Sequence, residues 1–236
     1  MDTQTRHALK GDKFAQATKT SVTWLSGHRS NVARWAISAA VVLVVGIGLI
    51  IFWNMQESAA EADLGTALDT YTAPLALPGT PAQKGEYATA AERSKAANQQ
   101  FKAVADKYGW LPEGGKARYF TGVTYQEMGQ TTAAETDLKK VAGSWNRNLA
   151  NLAKIALASI DHQSGSDQQA IDLYNEIIAK PSETVTAGTA QLALADLYAA
   201  TGKQAQARAL WAKLKDSDKD GAAGSIAAQK LSGGNQ

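Results

Sequence analysis

The sequence predicts an all-α protein, a helical-hairpin solenoid of about three to four helix pairs behind one N-terminal transmembrane helix. Two observations carry that expectation. Trp35 to Gln56 is a single uncharged stretch, with Ala36-Ile-Ser-Ala-Ala-Val-Val-Leu-Val-Val-Gly-Ile-Gly-Leu-Ile-Ile-Phe-Trp53 at its centre. Beyond it, small and large residues recur at intervals of 36 or 37 positions, as in an array of similar helical units.

The tail, residues 1–34, carries Arg6, Lys10, Lys13, Lys19, Arg29 and Arg34 against Asp2 and Asp12, a local charge of +4 in a chain whose total is +2. The basic flank predicts that the tail stays in the cytoplasm and the rest lies outside, because Lys and Arg resist translocation. Within the tail, Phe14 to Leu25 sets Phe14, Ala17, Val22 and Leu25 beside Lys13 and Lys19, as an amphipathic helix would. Such a segment suits an anionic leaflet, a cytoplasmic partner, or a solvated flank that only orients the anchor.

The span, residues 35–56, has the roughly 20 apolar residues that a helix needs to cross a hydrocarbon core. Trp35 and Trp53 bracket it, and amphipathic rings favour the two membrane interfaces. A cleaved signal peptide is the competing reading, with Ala60-Glu61-Ala62 as the small-x-small site. Its proportions fit less well, since 34 residues precede an apolar run longer than the roughly 7 to 15 residues of a signal core.

Residues 57–85 read as a first helix from Glu57 to Thr72, with Leu64, Leu68 and Tyr71 at helical spacing, and then a loop holding Pro74, Pro78, Gly79 and Pro81. Residues 86–236 hold the array. A long helix is expected from about Gly85 to Tyr108, and Pro112-Glu-Gly-Gly-Lys116 reads as a helix-to-helix turn. Gly129, Gly165 and Gly202 mark turns where a left-handed residue ends a helix. Ala134, Ala170 and Ala207 keep the same register, as do Leu138, Tyr174 and Trp211, and a further step back reaches Ala97 and Phe101. Gly122 and Ala195 lie three residues before Tyr125 and Tyr198, so that a second helix can approach; Asp161 stands in that tyrosine column. Pro181 stops a helix, and Ala222 to Leu231 is the expected capping helix.

This order of small, aromatic, glycine, alanine and aromatic residues resembles the tetratricopeptide repeat. The match runs from Lys116 to Leu214 and weakens over Glu86 to Tyr108, where Glu92 takes the place of the turn glycine. The whole arrangement, including Leu9-Lys-Gly-Asp-Lys-Phe14 and Trp24-Leu25 in the tail, is similar to the YfgM-type membrane-anchored tetratricopeptide proteins. That resemblance implies an ancillary subunit of the Sec translocon in the inner membrane, its repeat domain periplasmic, with the translocon, periplasmic chaperones or exported polypeptides as partners. It also implies a peptide groove on the first helices, at Tyr119, Val123 and Gln126, then Ile155, Ser159 and His162, then Leu192, Asp196 and Ala199. The Lys/Asn/Arg clamp that some relatives use for an acidic terminus is missing from those columns, so apolar or aromatic-containing segments are the expected clients.

Catalytic and cofactor chemistry find little support. Of three histidines, His7 and His28 lie in the tail, and His162 alone cannot assemble a zinc site or a serine triad. With no cysteine there is no thiolate ligand or thiol nucleophile. Asp216-Ser-Asp218-Lys-Asp220-Gly221 matches the first half of a calcium loop, but its twelfth position is Ala227, so a polar turn is the better expectation. The near-balanced charge argues against nucleic acid. The sequence therefore predicts a non-enzymatic interaction module assisting export, chaperone hand-off or envelope assembly, with no cofactor. A structural scaffold of an oligomeric membrane complex is the alternative.

Overall fold

Each turn glycine of the repeat register closes a helix in the same way. In the computed structural model, which describes residues 29–233, Gly129, Gly165 and Gly202 have φ of 70°, 79° and 77°. An L side chain rarely adopts that region, and glycine does so without steric cost. Their N–H groups donate to the carbonyls of Gln126, His162 and Ala199, and the next residues, Gln130, Ser166 and Lys203, donate to those of Tyr125, Asp161 and Tyr198 at 2.9, 2.7 and 2.8 Å. These are three Schellman caps. The cap uses the backbone of residue 161, so the aspartate in the tyrosine column leaves it intact.

The helices are α1 Arg29–Thr72, α2 Ala90–Lys107, α3 Pro112–Glu127, α4 Thr131–Ala142, α5 Arg147–Gln163, α6 Asp167–Ala179, α7 Ala187–Ala200, α8 Gln204–Ser217 and α9 Ala222–Gly233. The second helices α4, α6 and α8 follow the glycine turns with no side-chain cap. The first helices α5 and α7 are started by Asn146 and Thr186, whose side-chain oxygens accept the N–H groups of Leu149 and Thr189. Pro112 occupies the first turn of α3, where its missing N–H costs nothing.

The chain divides into two units, Met1–Gln56 and Glu57–Gln236. In the first, α1 is long and apolar enough to cross a membrane, and none of its most apolar window is buried. Trp35 is 77% exposed and Trp53 47% exposed. The expected amphipathic helix at Phe14 to Leu25 lies outside the described residues.

In the second unit, Ala60, Leu64 and Ala67 of α1 enter a core with Ala97, Phe101, Val104 and Tyr108 of α2. The Phe101 and Phe120 rings stack at 5.0 Å, and Tyr71 meets Phe101 edgewise at 6.0 Å and Phe120 at a tilt at 5.9 Å. Glu127 of α3 accepts hydrogen bonds from the Tyr71 hydroxyl and Ser94, each at 2.6 Å, and so ties the ends of α1, α2 and α3. Two columns of the array are buried throughout: Ala97, Ala134, Ala170 and Ala207 are inaccessible, and Phe101, Leu138, Tyr174 and Trp211 are at most 9% exposed. A Cβ on Gly122 would lie 2.6 Å from Leu138 Cγ, which explains the small residue at that position. The fourth pair, Glu57–Thr72 with α2, and the capping helix α9 complete the expected solenoid.

Two local expectations are corrected. The second helix starts at Ala90 rather than near Gly85, because Thr89 caps it through the Glu92 N–H. The residues between are held in the loop by an isolated parallel bridge, Leu75 to Tyr87. Pro112-Glu-Gly-Gly-Lys116 is the first turn of α3 and not a connection. The real turn is Tyr108 to Leu111, and a Cβ on Gly114 would collide with the Tyr108 carbonyl.

Candidate peptide-binding face

The Schellman caps also fix the register of the first helices. Gln126, His162 and Ala199 are the carbonyl acceptors of the three turn glycines, so each stands at the same height in its own helix. Val123, Ser159 and Asp196 lie three residues earlier, and Tyr119, Ile155 and Leu192 seven earlier. Positions i, i+4 and i+7 share one face of a helix, so each first helix presents one residue of every column.

The three columns differ in what they leave open. Tyr119, Ile155 and Leu192 are half-buried and pack against the cores between successive pairs. Tyr119 sets its ring edgewise to Phe120 at 5.3 Å, and burial pushes its hydroxyl pKa up. Val123 is half-buried and belongs to none of the core clusters. Three of the polar members are engaged within the chain. Ser159 Oγ accepts from Gln163 at 3.1 Å, the His162 ring sits 2.6 Å from the Asp167 carboxylate, and Asp196 pairs with Lys230 of α9 at 3.1 Å. His162 is exposed, Gln126 and Ala199 are half-buried. The face is thus an apolar strip of Tyr119, Val123, Ile155 and Leu192, edged by Gln126 and by the held groups of Ser159, His162 and Asp196.

α3 packs directly on α5. α5 and α7 meet through side chains, with Ala158, Leu194 and Leu197 in one core and Ile155 and Ala190 in another. Asn148 and Asn151 strengthen that junction: Asn148 Oδ1 accepts from Glu183 N–H at 3.1 Å, and Asn151 Nδ2 donates to the Lys180 carbonyl at 3.0 Å.

At the acidic turn, Asp218 folds its carboxylate onto α9 and accepts the Gly224 N–H at 3.0 Å. Among the described residues no group of three or more His, Asp or Glu side chains is placed to hold a metal ion.

Two surface features escaped the sequence reading. Trp145, 92% exposed, stands beside a cavity of about 760 Å³ at the junction of α4 with α5 and of α6 with α7. An isolated tryptophan between Ser144 and Asn146 was the available signal. A groove of about 470 Å³ also opens between α4, α5 and α6, with Asp161 in its wall.

Repeated antiparallel helix pairs with a repeated face define a helical-repeat interaction module. Residues 30–213 match the tetratricopeptide repeat-like domain, and the chain belongs to that family. No curated protein and no solved structure matches it.

Proposed function

We propose that this chain is a membrane-tethered interaction module of the cell envelope. Its N-terminus is cytoplasmic, its span lies in the inner membrane, and its repeat domain is periplasmic, where it holds polypeptide segments during export, chaperone hand-off or envelope assembly. The observation that carries the reading is one chain joining an uncovered apolar helix to a repeat domain whose first helices share an apolar strip. The translocon, its chaperones and exported polypeptides are the proposed partners, following the resemblance to the YfgM-type proteins. Apolar or aromatic segments fit the strip, because they lose water against Tyr119, Val123, Ile155 and Leu192 and leave no charge unpaired.

Topology is tested with a reporter fused after Gln236, which should be active only outside the cytoplasm; activity inside sinks the proposal. The face is tested by placing a photo-crosslinking residue at Val123, Ser159 or Ala199, with exposed Lys95 of α2 as the control. Heterogeneous client adducts confined to the first three positions support it. Adducts equally strong at Lys95 remove the face, and a single stoichiometric adduct selects the scaffold instead.

A further inference from the structure

The groove between α4, α5 and α6 exists where the repeat departs from its own pattern. In the neighbouring copies the residue that receives the Schellman bond is Tyr125 or Tyr198, and both rings pack against the core clusters beside them. At the same position of α5 the side chain is Asp161, a carboxylate without a ring to fill that space. The space stays open, about 470 Å³ with Leu157, Leu173 and Ala142 among its lining.

The charges around it are unequal in how they are satisfied. Lys139 pairs with Glu135, and Lys154 pairs with Glu176 at 2.8 Å. Both cations of the lining are therefore already matched. Asp172 accepts one hydrogen bond, from Gln168. No donor among the described residues reaches the Asp161 carboxylate, which is half-buried. Burial raises its pKa first and Glu135 adds to the rise, while Lys139 opposes it. A partly covered carboxylate beside apolar side chains gains from a cation brought to it, because such charge-assisted hydrogen bonds are the stronger ones.

We propose that this groove binds a polypeptide segment bearing an arginine or lysine between apolar residues, the cation reaching Asp161 and its neighbours resting on Leu173 and Ala142. The site is separate from the first-helix strip. At 100° per residue, Lys154, Leu157 and Asp161 lie about 130° around α5 from Ile155, Ser159 and His162. It rests on the reading of this chain as an interaction module and adds a second contact of different chemistry. A client holding both an apolar and a basic-apolar segment would be bound at two points, and the effective concentration of the second rises once the first is engaged.

The test uses the full chain in phosphatidylcholine nanodiscs and two fluorescein-labelled 12-residue peptides, one with a single arginine flanked by leucines and one with glutamine in its place. Anisotropy is read at about 150 mM salt, where surface charge is well screened, and binding to empty nanodiscs is subtracted. Asp161→Asn removes the charge with little change of shape. Asp161→Tyr restores the residue type of the other copies, fills the groove and keeps the melting temperature at or above that of the native chain. Both variants should weaken the arginine peptide at least about tenfold, the scale of one charge-assisted hydrogen bond, and Asp161→Asn should leave the glutamine peptide unchanged. Equal binding of the arginine peptide to the native chain and to Asp161→Asn overturns the proposal, as does equal binding of both peptides to the native chain. The crosslinking at Ser159 reports on the other face of α5, so either reading can fail while the other stands.

Discussion

Trp211 is the largest side chain in the core of the last helix pair, and truncating it tests the whole register. It lies on α8, 7% exposed, among Ala195, Ala207, Leu214 and Ala227, with Leu192, Tyr198 and Leu231 packed around them. A buried tryptophan withdraws about 150–250 Å² from water, which at about 25 cal/mol per Å² amounts to roughly 4–6 kcal/mol. That is an upper bound, since the unfolded chain already covers part of its apolar surface. Removing the ring also removes an indole N–H that is buried with no acceptor among the described residues. The relief is about 1 kcal/mol or more, because an unpaired buried donor carries its full desolvation cost. The cavity left behind works the other way, and a net loss of about 3–5 kcal/mol is expected for Trp211→Ala. In a unit of this size that lowers Tm by roughly 6–20 °C.

The assay is urea unfolding of the Glu57–Gln236 unit, followed by circular dichroism at 222 nm. Trp211→Leu provides the calibration, since Leu138 fills the same column two copies earlier in this chain. Leucine restores a branched apolar filler without the orphan N–H, so it should cost about 1–2 kcal/mol, within the range of partial core truncations. A loss below about 1 kcal/mol for Trp211→Ala would show that the ring does not fill the layer between α7, α8 and α9. So would free access of acrylamide to Trp211 in the folded unit.

Two further outcomes follow from the same packing. Gly122→Ala should gain close to 1 kcal/mol of helix propensity yet lose stability overall by about 1 kcal/mol. The new methyl would meet Leu138 Cγ at 2.6 Å and Cδ2 at 2.9 Å in a fully buried site, and overpacking of that kind costs about 1–3 kcal/mol; a raised Tm refutes the close approach of α3 and α4. Tyr71 has its pKa raised to about 12 from 10.0, by burial first and by the Glu127 carboxylate next. The folded state thus keeps its proton where the unfolded state loses it. The contribution is complete below pH 10 and fades as pH climbs towards 12. Tyr71→Phe should flatten the pH dependence of urea midpoints between pH 9 and 11.5, and an unchanged slope there excludes this linkage.

The repeat columns were legible in the sequence because each has a local physical cause. A glycine at φ near +75° admits few substitutes, and an alanine or a glycine is required wherever two helices approach closely, so spacing alone exposed the helix pairs. Boundaries set by a cap were harder. Thr89 and Glu92 form the start signal of α2, but the preceding helix-compatible residues gave no contrast, and the bridge from Leu75 to Tyr87 is a tertiary fact. Pro112-Glu-Gly-Gly-Lys116 reads as a helix-to-helix turn by composition, although proline at the first position of a helix is favoured.

The candidate face was legible only in outline, for a reason that also explains the groove at Asp161. Spacing tells which residues share a side of a helix, but it does not tell which of their atoms the next helix covers. Tyr119, Ile155 and Leu192 proved to be both packed and partly open, and Asp196 proved to be paired with Lys230, a residue 34 positions away. The departure at Asp161 was visible as a broken column, and a broken column in a repeat has two physical meanings. Either the array tolerates a defect there, or the space that the missing ring would fill is kept for something else. Packing separates these, since a tolerated defect collapses until neighbouring side chains close it and satisfy the polar group. Here the space remains open, and no donor among the described residues hydrogen-bonds the carboxylate. A site that pairs an unfilled volume with an unmatched charge specifies the chemistry of its occupant, and an apolar segment with one cation meets both requirements.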